Sequence, residues 1–230
     1  VTTPDGSLVA MVHCNNCTSD LNAWINIFKE YQELMGIPVD MDEIYGKLYN
    51  HALTGNADCG GLISYNYISG EPITGLADGR PLFVRSANDK FNLANFIRTH
   101  LYASVGVLKI GNDILFNEEK IKVDRITAHG GLFKTKGVGQ RILAAAINSP
   151  ISVMETAGEG GAWGIALLAS YLVNNGNCQS LADFLDKDVF TGDAGIEISP
   201  TAEDVSGFNT YIERYKAGLP IEEASVRFKN

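Results

Sequence analysis

Ile126-Thr-Ala-His-Gly-Gly-Leu-Phe-Lys-Thr135 and, one helix further on, Met154-Glu-Thr-Ala-Gly-Glu-Gly-Gly-Ala-Trp-Gly-Ile-Ala-Leu-Leu-Ala169 are the stretches on which the reading of this chain turns. The run 123–128 reads as a strand, Gly130-Gly131 as a turn and 139–147 as a helix. Residues 151–154 then read as a second strand, and the glycine-rich turn 157–161 leads into a helix ending near Asn174. Strand, helix, strand, helix in this order predicts a parallel sheet with right-handed crossovers. Adjacent glycines let the backbone pass close to a ligand, because no Cβ intervenes. A helix N-terminus behind them would offer free amides and positive potential, which suit a nucleotide phosphate. Lys134 would add a cation and Thr135 a hydroxyl. His129 is a candidate for a phosphate or ribose hydrogen bond, with a turn-fixing role as the alternative. In the second stretch, the small residues Gly160, Gly161, Ala162, Gly164 and Ala166 demand close packing, either of a partner helix or of a flat ligand such as adenine. Each turn alone is compatible with an ordinary βα connection. Two at the same sheet edge, where ligands usually sit, reinforce each other.

Working outward, residues 7–13 (SLVAMVH) read as a strand and Cys14-Asn-Asn-Cys17 as a turn. Leu21, Trp24, Ile25, Phe28, Tyr31 and Met35 recur at helical spacing, and Gly36-Ile-Pro38 ends that helix. A second helix is predicted over 41–53, a glycine-punctuated, strand-containing segment over 54–85, and a long helix over 89–110 stopped by Gly111-Asn112. A short helix at 181–185, a strand at 196–198 and a helix over 202–217 follow, with 218–230 as a peripheral tail. Trp24 and Trp163 are assigned to the core. His13, His51 and His100 are assigned structural or surface roles.

The stretch 126–169 resembles the adenosine-binding signature of the FGGY carbohydrate kinases. The matching features are Gly130-Gly131, Thr135, Gln140 in the following helix, Pro150-Ile151, and Glu159-Gly-Gly-Ala162-Trp-Gly164-Ile-Ala166. Gly61-Leu-Ile-Ser-Tyr-Asn-Tyr-Ile-Ser-Gly70-Glu71-Pro72 looks like the family's Pro-Tyr-x-x-Gly-Glu-Arg segment, and Arg98 matches its Arg-containing helix. The order and spacing hold over about 8–173. Pro72 departs from the family's Arg, Tyr102 from its Glu, and Ala144 or Ala145 from its Asp; these point to a divergent branch near the xylulose and ribulose kinases. The resemblance implies an α/β, ribonuclease H-like domain of the actin and hexokinase-like ATPases, with a mixed sheet flanked by helices. It implies ATP and Mg²⁺ as cofactors, a sugar hydroxyl as acceptor, and nucleotide contacts from His129, Gly130, Gly131, Lys134, Thr135, Gln140, Glu159, Gly160 and Gly161. The family's catalytic Asp has no counterpart here. Asp5, in a Pro-Asp-Gly turn, is read as a solvated turn residue. The chain is therefore expected to be the C-terminal nucleotide-binding half, inactive alone, with the sugar-binding half elsewhere.

The totals agree with this. The chain has 230 residues, 45% hydrophobic and 20% charged, enough for a substantial core. A formal net charge of −9 argues against a non-specific nucleic-acid binder, and no apolar run approaches a membrane span. The start Val1-Thr-Thr-Pro-Asp-Gly, without Met, reads like the middle of a longer protein. Four cysteines are too few for a disulfide framework, so a reducing, cytoplasmic setting is expected. Cys14 and Cys17 alone supply two of the four ligands a structural zinc needs; a redox pair opening a helix and a plain turn are the alternatives. Asn15 and Asn16 could also reach a sugar at a domain cleft. A non-catalytic actin-like ATPase or scaffold, and a homodimer, stay open.

Overall fold

The computed structural model describes residues 1–154, 158, 160–174, 179–191 and 195–228. Its element order is α1 (Ser19–Leu34), α2 (Met41–Ala52), β1 (Ile63–Tyr65), β2 (Leu82–Val84), α3 (Leu93–Asp113), α4 (Val138–Ile147), β3 (Ile151–Val153), α5 (Gly160–Asn174), α6 (Leu181–Phe184), β4 (Ile196–Ile198) and α7 (Ala202–Arg227).

The core is built around α3. Its residues from Ala94 to Val107 are all buried, as expected of a helix enclosed on every side rather than amphipathic. Helices α1, α2, α4 and α7 and strand β1 pack around it. Asn92 starts α3 by accepting from the Asn95 amide at 2.9 Å, which satisfies one of the free amides of the first turn. The stop predicted at Gly111-Asn112 is not used. The helix runs through Gly111 to Asp113 and continues as a π turn over Ile114–Glu118. A Cβ at Gly111 would collide with Val12 Cγ1 and stand 2.9 Å from Ile73 Cδ1, so this glycine admits a neighbouring chain instead of ending the helix.

Two short sheets pack on the helices, one beside α3 and the other beside α4. β1 and β2 pair antiparallel, with Ser64 opposite Phe83. The other layer is mixed. β3 pairs antiparallel with β4, while Thr127 bridges Ser152 in the parallel sense, with Ala128 N donating to Ser152 O and Ser152 N to Ile126 O, both at 2.9 Å. The predicted parallel pair thus exists but is brief: of the strand expected over 123–128, only 126–128 pair. Residues 7–13 do not form the predicted strand. Pro4-Asp5-Gly6 folds the N-terminus back on itself, Leu8 bridges Thr2, and Leu8 is 91% exposed, with no sheet neighbour to extend the ladder. Asp5 accepts from the Ser7 amide at 3.0 Å within that turn.

The C-terminus corrects a further expectation. The helix predicted to end at 217 continues past Pro220 to Arg227, and Glu222 anchors the otherwise half-buried or exposed segment 218–228. Glu222 is fully buried and accepts from Arg80 N at 2.7 Å, while the Arg80 guanidinium donates to Phe228 O at 2.8 Å. Tyr102, where the resembled family has Glu, donates to Ala57 O at 2.9 Å and accepts from Arg98; the acid beside Arg98 is Asp204 of α7. Among the described residues no helix is long and apolar enough to cross a membrane.

Candidate functional site

The two glycine turns meet in space. Gly130 has φ of +115°, a backbone region that an L side chain avoids, and it redirects the chain as it leaves the 126–128 strand. A 3₁₀ turn over Gly131–Phe133 follows. The helix N-terminus expected directly behind the glycines lies further on: α4 starts at Val138, capped by Gly137. The amides nearest the turn are thus those of the 3₁₀ segment. On the second turn, a methyl placed on Gly160 would stand 2.7 Å from His129 Nδ1, and one on Gly158 3.1 Å from Lys134 Cε. The backbone of the second turn therefore lies directly against side chains of the first, and a side chain at Gly160 would force His129 to move. Glu159 lies outside the described residues.

A cleft of about 910 Å³ opens beside this junction. Arg125, Thr127 and His129 form its polar edge. They occupy alternate positions of one extended segment, so they share a face. Gly160, Trp163 and Leu167 from α5 form the opposite wall, and Trp163 meets Phe190 edge-to-face at 5.6 Å. Trp163, expected in the core, is instead half-buried and lines this cleft. An apolar aromatic wall with a few convergent polar groups is the usual composition of a small-molecule site.

The other residues singled out from the sequence distribute differently. Gly131, Lys134 and Thr135 line a second cavity, of about 710 Å³, which faces α1 and α2. Gly161 has open space on its Cβ side. Gln140 is buried; its amide donates to Ile151 O at 3.1 Å and Ile196 O at 2.7 Å. It ties α4 to β3 and β4. Arg125, Thr127, Trp163 and Phe190 escaped the sequence reading. The two-residue spacing of 125, 127 and 129 was the available signal; the covering role of Phe190 had none.

The Cys14–Cys17 turn serves as a joint. Asn16 Oδ1 accepts from the Ile68 and Ser69 amides at 2.9 and 3.1 Å, and its Nδ2 donates to Ser69 O at 3.0 Å. Asn15 N donates to Glu71 Oε2 at 2.9 Å and Asn15 Nδ2 to Gly70 O at 2.7 Å. Both asparagines are thus occupied by the 68–71 segment, which leaves little for a sugar. Burial, reinforced by Glu71 and Cys17, pushes the Cys14 thiol up to about 12, the opposite of what a redox nucleophile requires. Replacing Asn16 with Ala orphans two partly buried amides and is expected to cost about 2 kcal/mol, read as a lower urea midpoint with an unchanged slope. An unchanged midpoint would mean that water replaces these bonds at no cost.

Residues 1–173 match the FGGY family of carbohydrate kinases, C-terminal domain. Among solved structures, the chain is similar to ligand-bound xylulose kinase from Lactobacillus acidophilus (TM-score 0.58, 22% identity, 77% of this chain and 35% of that one). It is likewise similar to gluconate kinase from the same organism (0.57, 22%, 77% and 35%), and to Plasmodium falciparum glycerol kinase with ADP (0.54, 18%, 83% and 37%). At these identities the likeness establishes a shared fold, that of the actin and hexokinase-like ATPases. The chain spans between 35% and 37% of the length of these three structures. No curated protein matches it.

Proposed function

The chain belongs to the FGGY family of carbohydrate kinases, as its C-terminal domain, and from that premise we propose that it forms the nucleotide-binding wall of an ATP-dependent sugar kinase. The observation that carries this reading is the junction of the two glycine turns, where Gly160 and Gly158 lie against His129 and Lys134. In this reading the purine lies along Trp163 and the start of α5, with His129 and Thr127 toward the ribose. The phosphates run over the backbone amides of Gly130 and Gly131, with Lys134 and Thr135 at their far side. The absence of Cβ atoms there leaves room for phosphate oxygens to approach the backbone. The fit to Mg²⁺ is of the kind seen when the ion rides on phosphates: among the described residues no group of three His, Cys, Asp or Glu side chains converges to hold one, and such ions keep water and phosphate oxygens as most of their ligands. Bound in this way, Mg²⁺ would neutralise charge on the transferred phosphoryl group.

What this chain's residues contribute is binding, orientation and charge. Phosphoryl transfer depends mainly on those terms. The acceptor in this proposal is a sugar hydroxyl, with a pentulose such as xylulose or ribulose as the preferred substrate. The base that takes the hydroxyl proton is placed outside this chain, so the isolated chain is expected to bind nucleotide without phosphorylating sugar, in a cytoplasmic setting.

Calorimetric titration with ADP tests the reading. The chain should bind ADP at or below millimolar concentration. Gly160→Val, whose Cβ would stand 2.7 Å from His129 Nδ1 and so displace that ring, should weaken binding by roughly tenfold or more, about 1.4 kcal/mol, in a chain that still melts cooperatively. Wild-type ADP affinity in Gly160→Val would place the nucleotide elsewhere.

A further inference from the structure

Resting on the nucleotide reading of the cleft beside Trp163, we propose that Asp186 sets its base preference, and that the cleft holds guanine nucleotides more tightly than adenine nucleotides. With the ribose beside His129 and Thr127 and the ring along Trp163, the purine edge remote from the sugar faces the third side of the cleft. Leu181, Leu185, Asp186 and Phe190 form that side. Three of these four are apolar, so Asp186 alone among them can hydrogen-bond a base through its side chain.

Asp186 belongs to the turn over Leu185–Val189, which Phe190 N closes by donating to Leu185 O at 2.8 Å. Phe190 in turn meets the Trp163 ring, so the turn and the aromatic wall are joined. The neighbours of Asp186 on this turn are engaged: Lys187 pairs with Asp183, and Asp188 accepts from Gln179 at 3.2 Å. Among the described residues nothing donates a hydrogen bond to the Asp186 carboxylate. A carboxylate accepts and cannot donate, and its two oxygens suit two parallel N–H groups. Guanine carries such a pair on the edge remote from the sugar, N1–H beside the N2 amino group. Adenine carries the N6 amino group beside the N1 lone pair, so one carboxylate oxygen would face a lone pair. Hypoxanthine keeps N1–H and lacks the N2 amino group, so it makes half of the contact.

The test is calorimetric titration of the 230-residue chain with GDP, IDP and ADP. GDP should bind about tenfold tighter than ADP, with IDP between them, because a bidentate base contact discriminates by about that factor or more. Asp186→Asn keeps the shape of the side chain and puts an NH₂ donor where one acceptor stood. It should reduce the preference for GDP over ADP to about twofold or less. Its melting temperature should match the wild type, because Asp186 is exposed and holds no other group in place. ADP binding as tight as GDP binding, or a GDP preference that survives Asp186→Asn, would overturn this proposal and leave the nucleotide reading standing. Binding of none of the three nucleotides would remove both.

Discussion

Replacing Asp204 with alanine is expected to lower stability by about 3–5 kcal/mol, the cost of leaving a buried charge without its partner. The Arg98 guanidinium is 2% exposed and donates from Nη2 to Asp204 Oδ1 at 2.7 Å. Its other contacts are neutral: the Tyr102 hydroxyl at 2.9 Å and Gly55 O at 3.2 Å. Asp204 Oδ2 accepts from Arg141 Nε at 2.6 Å and from Thr201 Oγ1 at 2.7 Å. One carboxylate therefore joins α3, α4 and α7 and lies in the capped first turn of α7, where Thr201 accepts from its amide at 3.1 Å. A chain of this size loses roughly 2–4 °C of melting temperature per kcal/mol, so the variant should melt about 6–20 °C lower. Arg141→Ala should cost much less, about 1 kcal/mol or below, because the Arg141 side chain is 38% exposed and water screens it. Burial raises the Asp204 carboxyl, but bonds from Arg141, Thr201 and Arg98 outweigh burial and hold it below the ordinary range. A depressed native value means that its contribution is complete above about pH 4, the unfolded value, and is lost as pH falls further. If Asp204→Ala melts within 2 °C of the wild type, Arg98 does not depend on this partner.

The second large effect is acid sensitivity centred on His100. Its ring is 1% exposed, stacked on Phe83, tilted against Trp24 and edge-to-face with Phe96. Nδ1 lies 2.9 Å from Ser64 Oγ and 3.7 Å from Asp20 Oδ2. Burial lowers its pKa to about 3, so the native ring is neutral. The unfolded ring takes up a proton below about pH 6.5. The unfolded state then binds more protons than the native state, and stability declines as pH falls from 6.5 toward 3. The limiting slope is about 1.4 kcal/mol per pH unit. Burial raises the Asp20 and Glu222 carboxyls, so both work in the opposite direction as pH falls, and the difference between the wild type and a His100 variant isolates the histidine. Chemical denaturation at pH 7 and pH 5 should differ by about 2 kcal/mol in the wild type and by much less in His100→Phe. Equal slopes in the two proteins would assign the acid loss to other groups.

Both effects concern the scaffold that carries the cleft, and neither Asp204 nor His100 stands out in the sequence as more than one acid or one histidine among several. Arg98 does stand out, through its resemblance to the family's helix, but its counter-charge is 106 residues away. A pairing of that kind is invisible to any window of a few turns. Gln140 illustrates the same limit at the site. Its position in the signature is legible, yet its use depends on where β3 and β4 come to lie. Trp163 shows the converse: an aromatic at helical spacing suggests core, but α5 contains no buried residue among those described, and the ring turns to the cleft.

The sequence alone determined what depends on neighbours a few residues apart. These are the helical face of α2, the N-terminal part of the α1 face (Leu21 and Ile25 are buried, whereas Tyr31 and Met35, read with them, are exposed), the strand at 196–198, and the paired glycines, whose backbone freedom is a property of the residue itself. With the family resemblance it also determined the fold class. Only the tertiary structure decided where α3 and α7 end, because Val12 packing on Gly111 and Arg80 bonding to Glu222 override the local stop and tail signals. It likewise decided that the turn residues divide between two cavities, since a cavity is bounded by segments far apart in the chain. Local conformational preferences are worth a fraction of a kcal/mol per residue, and burial of a close-packed contact is worth several times that.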